Sequence, residues 1–152
     1  MVTLKAEFSS DWTGILRNAL GRMGYTIPAS MDAQTVAVTF FSVSKRRVEP
    51  ARRKVFQSQE FTCPIEHAKG LDALKQAFES GADVSLHMSK RLDEPLYKDM
   101  LLNDWGVHHF HLGDGLDTDG FIKRTGPVLF ARVTEDSVFM IDVKGHPESR
   151  LC

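Results

Sequence analysis

Apolar positions recur along the chain with two periods, one near 3.6 and one of 2, and the switches between them outline its elements. From Ser10 to Gly24, Trp12, Ile15, Leu16, Ala19, Leu20 and Met23 fall three and four apart, after Ser9, Ser10 and Asp11 as start signals and before Gly24 as a stop; this predicts a first amphipathic helix. The run QTVAVTFFSV, Gln34 to Val43, is rich in β-branched and aromatic residues and predicts a strand, and RKVFQSQEF, Arg53 to Phe61, predicts another. With Pro50 between them, the two predict a β-hairpin with a long basic tip. Pro64 then suits the first turn of a helix whose face is Ile65, Ala68, Leu71, Leu74 and Phe78, with Gly81 as its stop and Gly70 as a weak point. A shorter helix, Pro95 to about Asn103, places Leu96, Met100 and Leu101 on one side.

The remaining pattern is strand-like. Val107 to Leu112 alternates, GDGLDTDG reads as a turn, Phe121 to Arg124 as a short strand, and VLFARVTEDSVFMIDV as a hairpin turning at Glu135 and Asp136. Hairpins of this kind favour an antiparallel sheet. The order predicts an α+β fold, an antiparallel sheet packed against two or three helices.

Composition adds limits to this pattern. A chain of 152 residues suits one domain, here an N-terminal α-β-β portion (1–62) and a C-terminal α-α-sheet portion (64–148) carrying the candidate chemistry. Hydrophobic residues make up 42% and charged residues 26%, close to the globular average, and no apolar run approaches the ~20 residues needed to cross a bilayer. The start, MVTLKAEFSSDW, lacks the apolar segment of a secretory signal, so the expected setting is cytoplasmic, without a membrane partner. Cys63 and the terminal Cys152 form neither a disulfide framework nor a zinc pattern; Cys63, before Pro64, is expected to pack at a strand end.

Net charge is −1, but its distribution is uneven. Lys45, Arg46, Arg47, Arg52, Arg53 and Lys54 against the single acid Glu49 give the segment 45–54 a charge of +5, which leaves −6 on the rest of the chain. Such a run is either a solvated loop or a contact for several phosphates. Phe40, Phe41 and Phe56 nearby could stack on bases, although their strand context favours core, as it does for Trp12 and Trp105 at their helices.

Three of the six histidines stand within WGVHHFHLGD. On a strand His109 and His111 share the presented side, while His108 points with Phe110 and Leu112 to the core. An H-x-H pair on a strand can chelate a metal, with His146 or one of Asp114, Asp117 and Asp119 as third ligand. The loop GDGLDTDG fails the calcium-loop register, because Gly115 and Gly126 stand where carboxylates belong.

The features HHFHL, KRTG, VLFARVTEDSVFMIDV and KGH in this order resemble the RelE-type toxins and, more widely, the barnase, EndoU, colicin and RelE group of ribonuclease folds, over about Pro64 to Glu148. The resemblance implies metal-independent RNA cleavage, by attack of the ribose 2′-hydroxyl on the adjacent phosphate. It further implies that His109 or His111 corresponds to the histidine of the first sheet strand, Lys123 and Arg124 to the phosphate-holding cations, and His146 to the closing histidine. The partners it implies are RNA and an inhibitor or antitoxin protein. The residue types suit this chemistry, since imidazoles titrate near pH 6.5 and cations stabilise the phosphorane. Two other functions stay open: a hydrolase or binding protein holding a transition metal such as zinc on His109, His111 and His146, and a non-enzymatic interaction module.

Overall fold

The computed structural model describes residues 7–146, so Glu148 and Cys152 lie outside the described residues. Helix α1 (Phe8–Arg22) and helix α2 (Ala33–Arg46) pack as a pair with its own small core of Leu16, Leu20, Tyr25, Val36 and Val43. The expected strand Gln34–Val43 is therefore a helix. Asp32 caps it, accepting from the Thr35 amide at 2.9 Å and from the Thr35 hydroxyl, and Val36, Thr39, Val43 and Arg46 fall on one buried face three and four apart. Burial of that stripe outweighs the strand preference of Val, Thr and Phe, while Val38 and Phe41 of the same run face solvent.

With α2 a helix, there is no hairpin with a basic tip. Strand β1 (Lys54–Gln57) instead pairs in parallel with β4 (Ser137–Gly145), and the sheet order is β1-β4-β3-β2, with β2 (His108–His111) and β3 (Pro127–Val133) completing three antiparallel strands. The α+β architecture with its sheet against helices is thus present, with one parallel strand added at an edge. The expected strand at Phe121–Arg124 is reduced to a single bridge between Leu116 and Ile122.

Helix α3 (Ala68–Ser80), entered through a 3-10 turn at Ile65–His67, lays Leu71, Leu74 and Phe78 on the core face of the sheet. There they meet Phe110, Leu112, Leu129, Ala131, Val138 and Met140, with the Phe78 and Phe110 rings edge to face at 5.5 Å. Ile65, expected on that face, is exposed. Gly70 is no weak point: a Cβ there would collide with the backbone of Leu112, so the helix can approach the sheet this closely only without a side chain. Gly81, at φ 79°, ends α3 in the left-handed conformation.

The segment 85–105 runs along the open edge of β2. It carries 3-10 turns at Ser85–His87 and Lys90–Asp93 and the short helix α4 (Met100–Trp105), which starts later than the expected Pro95 and buries Leu102; Leu96 and Met100 are exposed, as is Trp105. His87 donates through Nδ1 to the carbonyl of His111 at 2.9 Å, satisfying an edge acceptor that strand pairing leaves over. Among the described residues no helix is long and apolar enough to cross a membrane.

Candidate functional site

In β2 the alternation expected from the sequence holds. His108 stacks over Phe110 at 6.0 Å on the core side, while His109 and His111 project from the other face. That face is not open to water at β2: His109 is only 7% exposed and His111 2%. His146, at the end of β4, completes the group. Its ring lies 5.1 Å from that of His109 and 5.4 Å from that of His111, and the His111 and His146 rings are nearly parallel at 14°. The amide of His146 donates to the Gly126 carbonyl at 2.9 Å, which ties the end of β4 to the turn leading into β3.

Arg124, exposed on the loop 113–126, reaches this group, while the exposed side chain of Lys123 before it runs past Gly115, on the side of Asp117. Gly113 allows the loop to close: a Cβ there would collide with the Lys123 carbonyl, and the Lys123 amide donates to the Gly115 carbonyl at 2.9 Å. The Arg124 guanidinium donates through Nη1 to His111 Nε2 at 3.1 Å, so that nitrogen must carry its lone pair outward and the proton of the neutral ring belongs on Nδ1. The Thr125 amide lies 3.4 Å from Nδ1, a longer and weaker approach. The imidazole of His111 is held down to about 4 by burial first, and then by the positive charge of Arg124 and by its His146 and His109 neighbours. At neutral pH it is an uncharged acceptor.

Asp99 is a member of the site that sequence reading missed. One carboxylate oxygen caps α4, accepting from the Leu102 amide at 3.0 Å, and the other lies 3.9 Å from His109 Nδ1. The signal was present in the sequence as an Asp three residues before Leu102 at a helix start; what the sequence could not give was the fold of the segment back onto β2. His87 and Thr125 were missed for the same reason. Behind β2, His108 donates through Nε2 to the Lys45 carbonyl at 3.3 Å and lines a narrow cleft with Arg46, Tyr97, Asp99 and His109. Burial lowers the pKa of both His108 and His87, opposed in each by its carbonyl hydrogen bond.

The six basic residues expected to meet nucleic acid do not act as one patch. Arg46 is 4% exposed and donates to the carbonyls of Arg91 (2.8 Å), Glu94 (2.9 Å) and Ser42 (3.3 Å), with its guanidinium 5.7 Å from the Tyr97 ring. Arg53 is likewise buried, donating to Thr134 O at 2.7 Å and Glu49 O at 2.9 Å, and Arg47 packs over Tyr25. Lys45 is exposed but donates to the Asn103 carbonyl at 3.0 Å. Arg52 and Lys54 are exposed. Half of the run is thus internal scaffolding that ties the helical pair and β1 to the rest of the fold, where guanidinium groups satisfy carbonyls that helix ends and turns leave over.

A metal on His109, His111 and His146 would need their donor atoms to converge. Among the described residues no three His, Cys, Asp or Glu side chains come together in a way that would hold a metal ion, and His111 Nε2 already faces a guanidinium. Asp117 and Asp119 instead pair with Lys90. Burial raises the pKa of the Cys63 thiol, which suits packing and not nucleophilic attack. No protein-family model matches the chain, and no curated protein or solved structure matches it either.

Proposed function

We propose that the protein is a metal-independent endoribonuclease that uses His146 as its proton carrier and Arg124 and Lys123 as its phosphate-holding cations. The observation that supports this reading is the contact of three imidazoles on one sheet face, with the Arg124 guanidinium bonded to the innermost of them. His146 is half-buried where His109 and His111 are buried, so of the three imidazoles it offers the most surface to a substrate, with its Nε2 enclosed and Nδ1 left as the nitrogen to take the proton.

In this reading His146 takes the proton of a ribose 2′-hydroxyl as the oxygen attacks the adjacent phosphorus. Arg124 and Lys123 stabilise the charge on the non-bridging oxygens, and the 5′-oxygen leaves with a proton from a water molecule, whose hydroxide then takes back the proton held by His146. The products are a 2′,3′-cyclic phosphate and a 5′-hydroxyl. His111 carries no proton in this cycle, because an imidazole near 4 is too weak a base at neutral pH; its task is to hold Arg124. His109, with the Asp99 carboxylate 3.9 Å from its Nδ1, packs edge to face against His146 and fixes the position of that ring.

Incubation with total RNA, with and without a chelator, tests this. Cleavage should survive the chelator and leave cyclic phosphate ends, fall roughly 10²- to 10⁴-fold in His146→Ala and roughly 10²- to 10³-fold in Arg124→Ala. Cleavage that the chelator abolishes would refute it, as would activity indifferent to both substitutions. A second reading, a non-enzymatic interaction module, is favoured by the exposed apolar side chains Phe8, Ile15 and Phe41 on α1 and α2; it gains if the wild-type chain cleaves nothing.

A further inference from the structure

We propose that the same sheet face, continued away from the histidines toward β1, is a track for single-stranded RNA on which nucleobases stack against Phe56 and Phe139. The proposal rests on the ribonuclease reading and names the form of its substrate.

The strand register sets out the face. Opposite the core, β3 directs Val128, Phe130 and Arg132, and β4 directs Phe139 and Ile141 and, past the irregularity at Phe130/Ala131, Asp142 and Lys144. In β1, Val55 packs on the core, so Lys54 and Phe56 face outward. His109 pairs with Phe130 and His111 with Val128, whereas Phe139 pairs with Arg132, so the histidine site and the Phe56–Phe139 pair lie on one surface, about 14 Å apart across the sheet from β2 to β1 and a further ~7 to 13 Å apart along the strands.

At the β1 end the surface is open and aromatic. Phe56 and Phe139 are 46% and 45% exposed, their rings parallel within 14° and 5.3 Å apart, so each ring keeps one face free of the other, and Ile141 beside them is exposed too. The two phenylalanines, directly opposite across β1 and β4, support that pairing by roughly 0.2–1 kcal/mol, and their outer faces, directed at water opposite the core, are left for a partner. The charges around them select the occupant. Lys54, Arg132 and Lys144 are exposed, with Arg132 directly across from Phe139. Asp142 is the one acid among the outward strand positions, and it already accepts from Thr62 and pairs with Lys144 at 3.0 Å. Aromatic faces among cations, continuous with a site for a phosphate, suit a chain of bases on an anionic backbone. A duplex keeps its base faces stacked inside and cannot use the phenylalanines.

Binding of a short fluorescent oligonucleotide with 2′-O-methyl riboses, which cannot be cleaved by 2′-attack, tests the track on the full chain. The single strand should bind more tightly than the same sequence in a duplex. Phe56→Leu and Phe139→Leu should each weaken binding, roughly 5- to 150-fold per base that loses its stack, while Phe139→Trp retains it; the folding of each variant is checked by its circular dichroism and melting temperature. Binding that is absent, that prefers the duplex or that ignores both leucine substitutions overturns the proposal. So does a wild-type dimer that the same substitutions dissociate without affecting the oligonucleotide, since the face would then belong to a protein contact. The two readings fail separately: aromatic-dependent binding by a chain that cleaves no RNA would remove the nuclease and leave the track, and cleavage with aromatic-independent binding would do the reverse.

Discussion

Lowering the pH from 7 to 4 should destabilise the protein through its buried histidines before its carboxylates respond. In the unfolded chain a histidine takes up a proton near pH 6.5, whereas in the folded protein His111 does so only at about 4. Its folded value is depressed, so the unfolded state binds the proton first as the pH falls; the stability His111 contributes is present above 6.5 and is lost between 6.5 and about 4. At full effect the displacement from 6.5 to about 4 is worth about 3 kcal/mol, and roughly 2 kcal/mol once allowance is made for water reaching the site past the exposed Arg124 and half-buried His146. His87 and His108, both also depressed by burial, act in the same direction as the pH falls below 6.5. The carboxylates of Asp32, Asp117, Asp136 and Asp142 are held below their ordinary value by hydrogen bonds and lysine partners, so their contribution is lost only at lower pH, beneath the histidine window. Urea unfolding at intervals between pH 7.5 and 4 measures this directly, with His111→Gln as control, in which a smaller part of the decline should remain. A stability that stays level from pH 7 to 4.5, or a decline that His111→Gln leaves unchanged, would refute the neutral, buried state assigned to this imidazole.

Two further outcomes concern the scaffold. Arg46→Lys should cost about 3 kcal/mol in urea unfolding, because one ammonium cannot serve the carbonyls of Ser42, Arg91 and Glu94 together; the paired change of exposed Arg52 and Lys54 to Gln should stay within about 0.5 kcal/mol. Gly70→Ala, which on helix propensity alone would stabilise α3 by about 1 kcal/mol, should instead lower the melting temperature, since the methyl group meets the Leu112 backbone; a raised melting temperature would show that α3 can move off the sheet without loss.

The parts of the fold legible in the sequence are those in which one local rule decides. The face of α3, the β3–β4 hairpin and the alternation of β2 each follow from a period and a stop signal, and each is present. Residues 34–43 misled because their composition favours a strand while their buried positions, Val36, Thr39 and Val43, have helical spacing. Asp32 caps the helix that these residues form, and burial of their helical stripe prevails over the strand preference of their β-branched content. The aromatic expectations failed similarly: Phe41, Phe56, Trp12 and Trp105 all reach the surface, because which side of an element faces the core depends on partners far along the chain.

The same contrast explains the site. That His109 and His111 share a face is a property of one strand, and it could be read. That His146 closes over them depends on the β4 register and the Gly126 turn, and that His111 is neutral depends on Arg124, brought to it by a loop that closes only because position 113 has no side chain. Charge was the least legible quantity of all. Six basic residues in ten positions look like one electrostatic feature, yet Arg46 and Arg53 spend their guanidinium groups on internal carbonyls while Lys54 stands beside Phe56 on the open face. A cation joins a binding surface only if the fold gives it no carbonyl to satisfy, and that is settled by tertiary contacts: the cations at the proposed site, Lys123 and Arg124, lie outside the basic run altogether.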